Sequence, residues 1–433
     1  MNETRASFGS RIGAILVAAG SAIGLGSIWR FPYVAGENGG GAFILLYMLC
    51  MVIIGIPVML AEFTIGTHTR KSPVLAYKSL SPRWQWLGYN SIIVSTLISG
   101  FYYIVAGWSL GYFVASIDGS LYGSTDFHAT FTSFTTSWRQ PLYTLLFIGL
   151  THAIIAMGVQ KGLERVSKLM MPALFVMLIV MAIHSMTMEG AAEGFRFLFK
   201  PDFRKMLDTQ TIMDAIGQAF VSLSIGLGCM IAYASYFKKG TNLSKTAFSV
   251  AFMTLGVAIL SGMVIFPAVF SVEGLEPTEG PTLIFETLPF VFKDFPMPQL
   301  WSATFFLLIA MAALTSTISF HEVLTQYLQE NHSVARQRAA AIVSIVTILA
   351  SVLCMWSSRC FEAFDTITAD LLMPLGGLLT TIFAGWVLDR KILRDEISNH
   401  EARRARLLGV LIVLLRWVCP ILLGGVFAYN LLF

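Results

Sequence analysis

Long apolar runs, each of about 17 to 25 residues and so able to cross a hydrocarbon core, alternate along this chain with short polar segments. Eleven such runs predict membrane-spanning helices near 11–36, 41–69, 86–117, 139–160, 165–186, 211–237, 243–271, 299–330, 336–357, 361–388 and 405–431. No ten-residue alternation of apolar and polar positions marks a β-barrel. The expected fold class is an all-α polytopic membrane protein.

The first run breaks its own pattern. Between Gly20 and Pro32 it carries glycines at 20, 24 and 26, the charge of Arg30 and a proline, all of which burden a buried helix. A copy lies 202 positions further on, where Ile225-Gly226-Leu227-Gly228 repeats Ile23-Gly24-Leu25-Gly26. The same offset carries 41–69 onto 243–271 and 165–186 onto 367–388. The pattern predicts two five-helix repeats, 11–186 and 211–388, with an additional helix at 405–431. Because five is odd, the second copy enters the membrane from the opposite side, and two broken helices at matching places point to a transporter binding site. A plainer reading takes Gly20 and Gly24 as a small-residue packing face, but packing calls for neither the copy nor Arg30.

Composition agrees with a membrane class. Hydrophobic residues make up 56% and charged residues 12% of 433 positions, where a soluble domain carries about 25% charged. No basic patch on a soluble domain points to nucleic acid. Cys50, Cys229, Cys354, Cys360 and Cys419 lie in or beside apolar runs without metal-ligand spacing, which predicts buried thiols. Met1 to Ser10 is short and polar, so the first run is expected to be a span and not a cleavable signal.

An inner N-terminus puts 20 of the 29 basic residues on inner segments, as the positive-inside rule requires. An odd number of spans then leaves the C-terminus outside. The sequons at Asn2, Asn242 and Asn331 all fall on the inner side, which fits a prokaryotic inner membrane. The long outer connection 273–299, with five prolines around Leu283, Ile284 and Phe285, reads as a re-entrant lid or as a plain solvated loop.

Several stretches together resemble the neurotransmitter sodium symporters, in particular their bacterial amino-acid transporters: Gly24-Leu-Gly-Ser-Ile-Trp-Arg-Phe-Pro32, Glu37-Asn-Gly-Gly-Gly-Ala-Phe43, Gly55-Ile-Pro57, Tyr102-Tyr103, Ser222-Leu-Ser-Ile-Gly-Leu-Gly228, Tyr233-Ala-Ser-Tyr236 and Leu314-Thr-Ser316. The resemblance covers nearly the whole chain. It implies a leucine-transporter-like 5+5 inverted-repeat fold with broken helices 1 and 6, and sodium-coupled import of a neutral hydrophobic or aromatic L-amino acid by alternating access.

The chemistry of a broken helix fits that substrate. Amides freed at the start of the outer half suit a carboxylate, and carbonyls at the end of the inner half suit Na⁺ and an ammonium. By resemblance the substrate would touch Ala22, Gly24, Leu25 and Gly26, with Ser222 beside the carboxylate. Pocket walls would come from Ser99, Tyr103, Val221, Ser224, Leu227, Ser316 and Phe320, an uncharged lining with a few hydroxyls. Family members that carry amines without a carboxylate tend to have an acid at the position of Gly24.

One sodium would be held by the carbonyls of Gly20, Ile23 and Ala312 with the hydroxyls of Thr315 and Ser316, hard oxygen ligands for a hard cation. A second would use Ala22, Ser27, Ser222 and Thr254. The family usually has asparagine at the positions of Ser27 and Thr254. Its chloride or carboxylate position falls at Ala258, leaving Tyr47, Gln218 and Ser222 as donors and chloride dependence open. Arg30 and Asp365 would form an outer gate with Tyr103 beneath it, and Arg5, Glu330 and Tyr236 an inner one. Glu62 is expected to accept bonds from the unwound sixth helix.

Rival readings are weaker. Gly107-Trp-Ser-Leu-Gly111 matches the Gly-x-Ser-x-Gly of serine hydrolases but lies in a continuous apolar helix, not a strand-turn-helix. His321-Glu322 lacks the second histidine of a zinc protease motif, and no phosphate loop is present. The chain is therefore not expected to be an enzyme. A channel needs neither an inverted repeat nor two gates. Proton coupling on the same fold is the alternative nearest to sodium symport. Neither the particular amino acid nor the oligomeric state is encoded legibly.

Overall fold

The computed structural model describes residues 6–123, 126–272, 284–398 and 405–432. Among them every regular element is helical, and helices fall at all eleven expected positions. The first run divides into α1 (Arg11–Ala22) and α2 (Gly26–Glu37), bent by 55° at their junction. Next, α3 (Gly41–Thr69) leads through the short α4 (Pro73–Leu80) into α5 (Pro82–Ile117). The short α6 (Phe127–Thr136) then returns the chain to α7 (Arg139–Ala156) and α8 (Val159–Ser185).

In the second half, α9 (Ala191–Phe199) occupies the long connection, and α10 (Thr209–Leu223) with α11 (Cys229–Ala234) forms a second interrupted pair. Then come α12 (Leu243–Phe270), the short α13 (Thr287–Phe292), α14 (Pro298–His332) and α15 (Arg336–Trp356). The chain closes with α16 (Ser358–Val387), α17 (Arg390–Ser398) and α18 (Leu408–Leu432). Eight described helices are long and apolar enough to cross a bilayer, and α1 with α2 counted as one span makes nine. The remaining two positions belong to α7, which has 18 residues, and to the α10–α11 pair.

Both interruptions have local causes. At the first, Ile23 leaves helical backbone (φ −87°, ψ 83°), so α1 ends where α2 has yet to begin. At the second, Ser224, Gly226 and Gly228 take φ of 49°, 82° and 77°, a left-handed region that glycine enters freely. A Cβ on Gly226 would also run into the Met373 carbonyl oxygen of α16. The amide freed there donates to Glu62 of α3 at 2.7 Å, the acceptor role expected of that buried carboxylate.

Burial orders the bundle. The apolar window of α14 is 78% buried, against 28% for α18. The first is the central pillar, flanked by α5, α7 and α15; the second stands at the edge of the bundle. Exposed Leu169, Val176, Ile183, Leu349 and Val352 make the outer face apolar, as lipid contact requires. The five cysteines are free, four buried and Cys360 partly exposed.

Over one mouth, Ile284 and Phe285 are buried ahead of α13. The Phe285 ring meets Trp29, Trp108 and Tyr112 at centroid distances of 6.3, 5.7 and 5.2 Å. Positions 273–283 of the expected lid lie outside the described residues.

Candidate functional site

The site is built where the two breaks face each other. Ser224, at the end of α10, donates its hydroxyl to the Ser21 carbonyl at 2.8 Å, tying the sixth-span break to the first. Gln218 donates to the Gly26 carbonyl at 2.7 Å and to Ser222 Oγ at 2.9 Å. A Cβ on Gly26 would lie 2.9 Å from Val221 Cγ1. Leu227 is buried in the unwound stretch.

From α14, Ser316 and Thr315 reach carbonyls at the end of α1. Ser316 Oγ lies 3.4 Å from the Ser21 oxygen, and Thr315 Oγ1 lies 3.4 Å from the Ile23 oxygen and 2.8 Å from that of Ala312. Gly20 packs directly on Thr315, at 3.3 Å from where a Cβ would stand to Thr315 Cβ. Gly20, Ile23, Ala312, Thr315 and Ser316 are thus brought together, and what they present is neutral oxygen. That donor set suits a hard monovalent cation and not a transition metal. Among the described residues no group of His, Cys, Asp or Glu side chains has metal-binding geometry.

The other expected oxygen set is looser. Ser27 Oγ lies 3.4 Å from the Ala22 carbonyl. Thr254 donates to its own Val250 carbonyl at 2.9 Å. Ala258 and Tyr47 are buried, and Gln218 Oε1 is buried without a hydrogen-bond partner among the described residues.

The third span turns a different face to the site from the one expected. Tyr102, not Tyr103, reaches the break: its hydroxyl accepts the Leu25 amide hydrogen at 3.0 Å, and its ring meets Phe320 edge-on at 5.3 Å. A Cβ on Gly24 would lie 2.7 Å from that hydroxyl and would run into Ser316 Oγ. Tyr103 points to α14 and α7 instead, 3.4 Å from the Thr317 carbonyl and 3.5 Å from His321 Nδ1. Ser99, one turn before Tyr103 and on its face, turns its hydroxyl back to Ser95 O at 2.7 Å. The face beside them, Ile98, Tyr102 and Val105, lines the cleft. The sequence offered two adjacent tyrosines, and a helix that rotates about 100° per residue can aim only one at the break. The 98-102-105 spacing was the available signal.

That cleft, of about 240 Å³, lies above the break and is lined by Leu25, Trp29, Arg30, Tyr102, Val221, Asp365 and Asp370, among others. Arg30 and Asp365 share its walls without forming an ion pair. Asp370, one helical turn and a half beyond Asp365, is a second carboxylate in the cleft that motif reasoning missed. At the opposite end, Tyr236 donates to Glu322 at 2.7 Å, and Glu322, fully buried, pairs with Arg336 of α15. Glu330 accepts the Ser72 amide at 2.6 Å. Arg5 lies outside the described residues.

Comparison with known proteins agrees with this geometry. The sequence model described as "Sodium:neurotransmitter symporter family" matches residues 5–133 and 124–432. The chain is similar to the uncharacterized sodium-dependent transporter YhdH of Bacillus subtilis (strain 168), with 36% identity over 434 residues and 96% of each chain covered. It is also similar to an uncharacterized sodium-dependent transporter of Haemophilus influenzae, at 33% identity and 99% coverage of both. Among solved structures, MhsT in complex with L-phenylalanine superposes with a TM-score of 0.91 at 37% identity, covering 98% of this chain and 100% of that one.

Proposed function

The chain belongs to the sodium:neurotransmitter symporter family, a family of membrane transporters, and from that premise we propose that it imports a neutral hydrophobic or aromatic L-amino acid with sodium, by alternating access. The observation that carries this reading is the convergence at one break of two unlike groups. The Leu25 amide and the Tyr102 hydroxyl stand on one side, and the Ile23, Ala312, Thr315 and Ser316 oxygens on the other.

Each part of the substrate then has a partner. The amides that open α2 and the Tyr102 hydroxyl take the carboxylate. Carbonyls closing α1, at Ser21 and Ala22, take the ammonium. Val221, Leu227, Phe320 and Ile98 offer the side chain an apolar wall. Gly24 leaves no acid there for an amine lacking a carboxylate. The L-phenylalanine held by the similar MhsT structure supports the same substrate class.

Na⁺ would be held by Gly20, Ile23, Ala312, Thr315 and Ser316, and it supplies the gradient that drives uptake. Because these oxygens come from both α1 and α14, binding the ion draws the broken helix onto the pillar. Ala22, Ser27, Ser222 and Thr254 remain the candidate second set, with Thr254 needing to give up its bond to Val250. Arg30 and Asp365 close the outer mouth over the substrate, and Tyr236 with Glu322 and Arg336 the inner one. The two five-helix halves, 11–186 and 211–388, are read as inverted repeats in a prokaryotic inner membrane, with the N-terminus inside.

The test is a thermal-shift screen of the neutral amino acids in Na⁺ and in K⁺. A hydrophobic or aromatic amino acid that raises the melting temperature in Na⁺ alone supports the reading. No shift with any of them, or equal shifts in K⁺, contradicts it.

A further inference from the structure

Arg416 is the only charged residue within the Leu408–Leu432 span. A cation at such a place is expensive unless something answers its charge. In this protein no described carboxylate pairs with it, and its Nε is buried without a hydrogen-bond partner. The nearest acid along the adjoining helix end, Asp389, instead accepts the Lys391 amide at 2.9 Å.

What surrounds Arg416 is aromatic. Its guanidinium lies over the Trp386 ring at 4.0 Å, the Trp386 indole donates to the Arg416 carbonyl at 3.0 Å, and Trp417 meets Trp386 edge-on at 5.0 Å. Gly385 permits this close crossing, since a Cβ there would stand 2.8 Å from the Leu415 oxygen. Both tryptophans face outward, 48% and 54% exposed, Trp386 on α16 and Trp417 on α18, whose apolar window is the less buried of the two. Trp386 is the penultimate residue of its span, the kind of place where tryptophans collect near a headgroup boundary, and Arg416 is the ninth residue of α18. Just beyond it, Arg390, Lys391 and Arg394 of α17 are exposed.

We propose that Arg416, framed by Trp386 and Trp417, binds the phosphate of an anionic phospholipid, in the leaflet on the side of α17. The guanidinium fork supplies hydrogen bonds to the phosphate, the indoles pack on the glycerol and upper acyl region, and the α17 cations select a net negative headgroup over a zwitterionic one. The orientation proposed above makes this the inner leaflet.

The full-length protein, in nanodiscs of phosphatidylcholine with a minor fraction of phosphatidylglycerol, tests the site by mass spectrometry of the lipid retained after mild delipidation. Wild type should keep phosphatidylglycerol in preference. Arg416→Gln should lose about five-fold of that preference, the equivalent of about 1 kcal/mol per basic residue near a membrane surface. Arg416→Met, which keeps the packing volume, should lose it too and covers the case in which the glutamine variant does not fold. Equal retention of the two lipids by wild type, or an unchanged preference in a folded variant, overturns the proposal and leaves Arg416 answered by Trp386 alone. Protection by inorganic phosphate equal to that by the lipid also overturns it.

Discussion

The hydroxyl of Tyr102 accepts the Leu25 amide hydrogen at 3.0 Å, across 77 positions of sequence. This bond fixes the third span against the start of the outer half-helix, at the place where a carboxylate would bind. Tyr102→Phe leaves that amide with one partner fewer, and removing a partner from a buried polar group costs about 1–3 kcal/mol. The half-saturating substrate concentration should rise about ten-fold. Tyr103→Phe, which gives up long contacts with the Thr317 carbonyl and His321 Nδ1 at 3.4 and 3.5 Å, should leave uptake affinity within about two-fold. Concentration-dependent uptake by the two variants checks the assignment, and the reverse ranking would restore Tyr103.

The contrast shows which parts of the molecule its sequence encodes locally. Breaks at Gly24 and Gly226 were legible because glycine, with its missing Cβ, is a local signal. So were the hydroxyls of Thr315 and Ser316, because adjacent polar residues stand out in an apolar span. The facing of α5 was not, since Ser99 and Tyr103 made a polar stripe as plausible as the apolar one at Ile98 and Tyr102, and only packing against α14 decides between them. Glu322 was passed over as half of an incomplete zinc motif. Its partners Tyr236, in the turn after α11, and Arg336, on α15, lie on other elements, beyond the reach of any local pattern.

Ser316→Ala removes one hydroxyl from the oxygen set around Ile23, Ala312 and Thr315. The half-saturating Na⁺ concentration should increase by about ten-fold, the loss of one hydrogen-bonding or ligating group of about 1.4 kcal/mol. Uptake measured across a Na⁺ series reads this directly. An unchanged Na⁺ dependence removes Ser316 from the ion site.

Gly24→Ala places a methyl against Ser316 Oγ and 2.7 Å from the Tyr102 hydroxyl. Overpacking of this kind costs about 1–3 kcal/mol, and here it falls on the binding groups, so substrate binding should weaken about ten-fold or more. Gly217→Ala is the control, because a Cβ there meets nothing within 4 Å. Equal binding by both variants, measured by isothermal titration, would show that Gly24 does not border the substrate.

Outside the spans, His128 of α6 lies 2.9 Å from Glu286, just ahead of α13. The hydrogen bond and charge of Glu286 raise the histidine above its ordinary value. The contribution of the pair is therefore full below the ordinary histidine range and is lost as pH rises through the raised value. Amide exchange in Thr287–Phe292 should be slower at about pH 6 than at about pH 9 after correction for intrinsic rates. Glu286→Gln should abolish the difference; a difference that survives in that variant assigns it to another group.

Sodium-coupled amino-acid import is tested most directly by uptake of radiolabelled L-phenylalanine and L-leucine into proteoliposomes of the purified protein, with an inward Na⁺ gradient and with K⁺ replacing Na⁺. Accumulation above the external concentration should occur with the Na⁺ gradient and collapse without it. Uptake of the same extent in K⁺, or driven equally by a proton gradient alone, would contradict sodium symport.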